Sequence, residues 1–80
     1  MTIGIHLVCC TMVILNEIKQ GVRRKDIALT YAMALRSWAA KADNPDWKVI
    51  NEAIRAKWGV RGLKIVKNRA WALAEGRIEP

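Results

Sequence analysis

Between residues 61 and 71 stand Arg61, Lys64, Lys67, Asn68 and Trp71, side chains whose types and spacing suit contact with a nucleic acid. At one hundred degrees per residue, Lys64, Lys67, Asn68 and Trp71 share one arc of a helix, and Arg61 lies just before it. Cations neutralise phosphates, an amide pairs with a base edge, and an indole lies on a base or sugar. The bland alternative is a solvated lysine face with a tryptophan packed on a neighbouring helix or a second subunit. A second basic group, Arg23, Arg24 and Lys25, opens a helix. The N–H groups at such an end already favour an anion, so the three cations make either a phosphate clamp or a solubilising cluster.

Other chemistry has little to work with. His6 is the lone histidine, and the two cysteines, Cys9 and Cys10, are neighbours. No second His/Cys cluster completes a zinc site, and adjacent cysteines bridge only through a strained peptide, which points to two small buried hydrophobes in a reducing compartment. Gly-rich phosphate loops, nucleophile elbows and paired carboxylates on one helix face do not occur. The chain is therefore read as no enzyme, with no catalytic residue, metal ligand or cofactor, and as cytoplasmic.

Eighty residues allow one domain with a thin core. A composition 52 % hydrophobic and 26 % charged excludes disorder and collagen-like repeats, and fourteen Lys and Arg against seven Asp and Glu give a net charge of +7 that attracts polyanions. Residues 1–15 hold eleven apolar positions and no formal charge. The run lacks the cationic start of a signal peptide and is too short for a bilayer span, so no membrane segment is expected. An extended arm over residues 1–10, with Ile3, Ile5 and Leu7 alternating, followed by a helix from about Thr11 is preferred to one helix capped by Thr2.

Periodicity then predicts an all-α bundle of about four helices. The first carries Ile14, Leu15 and Ile18 and ends at Gly21; the second covers residues 24–41, with Asp26 in its first turn. Its main stripe is Ile27, Ala28, Tyr31, Ala34, Leu35 and Trp38, and a second stripe of Leu29, Met33 and Ala40 lies nearly opposite. A helix apolar on two sides in so small a domain points to a homodimer or another partner. After the linker 41–47, with Asn44 as N-cap and Pro45 at the first helical position, a third helix buries Trp47, Ile50, Ile54 and Trp58, places Asn51 on the same side, and ends at Gly59. The fourth, over residues 62–74, turns Leu63, Val66, Ala70, Leu73 and Ala74 inward, and residues 77–80 form a loose tail. Trp38, Trp47 and Trp58 are expected in the core. Around Gly21 and Gly59 the chain repeats Lys-x-Gly-Val-Arg, with an Ile four residues after each Arg.

Residues 53–68, Ala-Ile-Arg-Ala-Lys-Trp-Gly-Val-Arg-Gly-Leu-Lys-Ile-Val-Lys-Asn, resemble the helix-turn-helix signature of DNA-binding proteins. A steep helix crossing needs a left-handed Gly at the corner and apolar contacts on both sides, here Ile54, Trp58, Gly59, Val60 and Ile65. Arg55 stands where that family has a small residue, and Asn68 where it has an apolar one. The resemblance implies a small regulatory DNA-binding protein that reads a duplex through Arg61 to Trp71 while Arg23, Arg24 and Lys25 grip backbone. The rival expectation is a protein-interaction module or inhibitor of the kind phages and mobile elements encode, docking through the apolar arm, Leu29, Met33 and Trp71.

Overall fold

The computed structural model describes residues 10–80, in which three helices pack round one core: α1 (Cys10–Lys19), α2 (Arg24–Ala39) and α3 (Trp47–Ala74). The expected arm over residues 1–10, with Ile3, Ile5, Leu7, His6 and Cys9, lies outside the described residues except for Cys10. The expected all-helical class is met and the count of four is not. The reason lies at Gly59, whose φ of 80° and ψ of 177° break the last helix for one residue only. Helical geometry holds on both sides of that residue, so α3 consists of two helical arms, residues 47–58 and 60–74, joined across a kink.

α1 starts under a cap supplied from far along the chain. The Cys10 backbone N–H donates to Asp43 Oδ2 at 3.0 Å, an ionised acceptor for a first-turn donor. That bond, with a lesser one from the Asn44 N–H to Oδ1 at 2.8 Å, holds the Asp43 carboxyl below its ordinary range. At the other end Gly21 takes φ 82°, and Val22 N–H closes on Glu17 O at 3.0 Å, the left-handed stop that the sequence predicts. Lys57 Nζ donates to Ile18 O at 3.0 Å, so a cation from α3 meets the negative end of α1.

α2 supplies the centre of the core, burying Ile27, Ala28, Tyr31, Ala32, Ala34 and Leu35. Three of those six are alanines, which let the α3 backbone come close, and α2 and α3 form the principal packing pair. Tyr31 Oη donates to Asn51 Oδ1 at 2.8 Å, so Asn51 serves inside the bundle as the partner of a buried phenol. Burial raises the Tyr31 pKa, against the smaller lowering effect of that bond.

Two expectations about α2 and the linker are corrected. Trp38 is 45 % exposed instead of in the core, because it stands in the last turn of α2, edge-on to Trp47 at 5.7 Å, beyond the cover of the other helices. The N-cap of α3 is Asp46 and not Asn44: the Asp46 carboxylate accepts from Val49 N–H at 3.2 Å, and its own N–H donates to Thr11 Oγ1 at 2.9 Å. That second bond ties the starts of α1 and α3 together and sets the helix boundary two residues later than the Asn-Pro pair implies. Ile14, Ile50, Ile54 and Val66 complete the core, with Trp47, Trp58, Leu63 and Leu73 packed on its edge.

Candidate nucleic-acid interface

The second arm of α3 faces inward with Gly62, Val66 and Ala70, spaced four apart and buried. Gly62 is required by contact: a Cβ there would overlap the Cβ of Trp58, the residue before the break. The corner is thus Trp58, Gly59 and Gly62, with bulk on one arm and bare backbone on the other. Leu63, Leu73 and Ala74 pack partly against the core, as the expected inward arc requires.

Val60 and Ile65 do not brace this corner. They are 72 % and 47 % exposed, because the stripe led by Gly62 takes the inward direction and rotates both away from it. Ile54 is fully buried and Trp58 half-buried, so three of the five residues expected to hold the crossing sit at it, counting Gly59, and two point to water. The two Lys-x-Gly-Val-Arg segments diverge at the same step. Ile27 is fully buried where its counterpart Ile65 is exposed, although Gly21 and Gly59 share a left-handed φ.

Arg61, Lys64 and Asn68 are exposed on the outward arc, and Lys67 is half-buried at its edge. Lys64, Lys67 and Asn68 line one shallow concavity of about 230 Å³ with Val60 and Leu63. Trp71, 41 % exposed, belongs to the next depression, where Lys67 joins it beside Tyr31, Leu35, Trp38, Trp47 and Asn51. Lys67 therefore links the amide-bearing groove to an aromatic one. Trp71 and Trp38 also flank a wider, open hollow of about 840 Å³ with Leu35, Ala39 and residues 41–44.

The first basic group divides. Arg23 is engaged by Asp26, donating through Nε and Nη2 to Oδ2 at 3.3 and 3.2 Å. Arg24 and Lys25 instead line a concavity against the opposite flank of the same α3 arm, with Ala28, Ile65, Val66 and Arg69. The two basic groups thus lie on either side of one helix, with Arg61 and Ile65 between them. Sequence reasoning missed Arg69, since it stands on the arc's far border, about 140° from Lys64 on a helical wheel.

Residues 53–74 contain Arg55, Lys57, Arg61, Lys64, Lys67 and Arg69 and no Asp or Glu. Among the described residues the ion pairs within 4.0 Å are Arg23–Asp26 and Arg77–Glu75, so no carboxylate meets the cations of the α3 arm. With charges of one sign and few counterions nearby, the face projects a positive potential into solvent. No group of three or more His, Cys, Asp or Glu side chains able to hold a metal occurs among the described residues. No helix among them is long and apolar enough to cross a membrane. Compared with family models, curated proteins and solved structures, the chain matches none.

Proposed function

We propose that this chain is a small nucleic-acid-binding protein, regulatory, cytoplasmic and homodimeric, that takes DNA in preference to RNA on the outward face of the second α3 arm. The reading is carried by one observation: Arg61, Lys64 and Asn68 stand exposed, with Lys67 at their edge, on a 22-residue stretch without an acidic side chain. Arg24 and Lys25 border the same arm and extend its reach to a second phosphate row. The left-handed Gly59 corner, with Ile54 buried and Trp58 half-buried beside it, supports a helix-turn-helix-like use of this arm. Lys64 and Lys67 neutralise phosphates, Asn68 offers an amide to a base edge, and Trp71 supplies a stacking plane at the rim.

Fluorescence anisotropy with a labelled random duplex of about 20 bp tests this. The logarithm of the binding constant falls linearly with the logarithm of salt concentration, and K64Q/K67Q lowers the magnitude of the slope by about 1.8, or ~0.9 for each lost phosphate contact. Absence of binding at low ionic strength refutes the proposal, as does a slope unchanged in the double variant.

A second reading, a phage or mobile-element type of protein-docking module, draws on a different surface. Met33 is 58 % exposed, and Trp38 and Trp71 flank the wide hollow with exposed indoles, the residue type that most often anchors a protein interface. A strictly monomeric chain that ignores DNA in light scattering and anisotropy favours this alternative.

A further inference from the structure

We propose that Arg24, Lys25 and Arg69 form one phosphate-binding cavity between the start of α2 and the second arm of α3, and that its ligand is a backbone phosphodiester. The identity of the ligand rests on the nucleic-acid reading above; the cavity itself does not. The three cations come from two helices and, with Ala28, Ile65 and Val66, line a concavity of about 220 Å³. Arg69 Nε is buried and has no hydrogen-bond partner. A guanidinium N–H withdrawn from water needs an acceptor, and a phosphate oxygen is a strong one.

The surroundings favour an anion. Arg24 Nη1 lies 3.9 Å from the point where a Cβ would stand on Gly62, so its guanidinium reaches the α3 corner. None of the three cations has a carboxylate within 4.0 Å. Asp26 and Pro80 border an adjoining depression shared with Lys25, Leu29, Arg69 and Leu73, but the Asp26 carboxylate is already held by Arg23. Three cations that line one concavity are matched by a tetrahedral oxyanion, which accepts from several directions at once.

The test uses the full chain labelled with ¹⁵N, following the Arg69 Nε–Hε resonance. Titration with inorganic phosphate shifts it saturably, sodium chloride at matched ionic strength does not, and the 20 bp duplex shifts it in the same direction. In R24Q/K25Q, whose two sites are exposed and whose fold is checked by circular dichroism, the phosphate response is lost. In that variant the salt slope of duplex binding falls by about 0.9, the value for one phosphate contact. An Arg69 resonance indifferent to both phosphate and duplex overturns the inference, even where the duplex still binds through Lys64 and Lys67. A phosphate response without duplex binding upholds the cavity and refutes the proposed function instead.

Discussion

Replacing Gly62 with alanine distinguishes a broken helix from a continuous one by the sign of its effect. In a regular α-helix residues four apart have Cβ atoms about 5–6 Å apart, and an exposed Gly→Ala change stabilises by roughly 1 kcal/mol. Here the break at Gly59 draws the turn in so far that a Cβ on Gly62 would overlap the Trp58 Cβ. A Cβ atom moves only with its backbone, so relief requires the two arms to part or Trp58 to leave the edge of the core. Overpacking costs about 1–3 kcal/mol, and a contact this close belongs in the upper half of that range. Less the helix-propensity gain, G62A is destabilised by about 1–2 kcal/mol, which for a domain of this size lowers Tm by roughly 4–16 °C. Thermal melts followed by circular dichroism at 222 nm read this directly. A G62A melt at or above wild type shows that the arms are not appressed at this corner, and it removes the account of why Val60 and Ile65 face water.

Two pH effects follow from the described hydrogen bonds. The Asp43 carboxyl is held low chiefly by the Cys10 N–H, so its contribution is present above the unfolded pKa and is lost as pH falls through the folded value. Urea midpoints of wild type should therefore drop between about pH 5 and pH 3 more steeply than those of D43N, and parallel curves contradict the cap. Tyr31 has the opposite sign: burial raises its pKa from 10.0, so its contribution is complete below the unfolded value and is lost as pH rises through the folded one. Y31F should lack the alkaline decline in stability expected of wild type, while losing stability at neutral pH through an Asn51 left without its phenol donor; an unaltered alkaline limb refutes this.

Much of the architecture was legible in the chain. Ile14, Ile27, Ile50 and Ile54 each stand on an expected apolar stripe and are fully buried, and Gly21, Gly59 and Gly76 take left-handed φ angles where helices stop or break. The basic arc of Lys64 and Asn68 reads directly from the same periodicity, and both residues are exposed. Less legible was anything that depends on two elements meeting. Asp46 displaces Asn44 as N-cap because Thr11, thirty-five residues earlier, accepts its N–H. Trp38 has the phase of a core residue and lacks the cover, since the bundle ends before it does. Arg69 carries no local mark, and it gains interest only through Arg24 and Lys25 on another helix.

What the sequence alone determined is therefore each helix's apolar stripe, its glycine stops and the one-sided charge of residues 53–74, because each follows from a period of 3.6 residues and the chemistry of single side chains. The tertiary structure decided the direction in which the chain leaves Gly59. Backbone torsions at a glycine permit many directions, and one is selected by packing Gly62 against Trp58 and by the close approach of the α2 alanines. That choice turned Val60 and Ile65 outward and brought Arg24 and Lys25 to Arg69, an arrangement that no local period encodes.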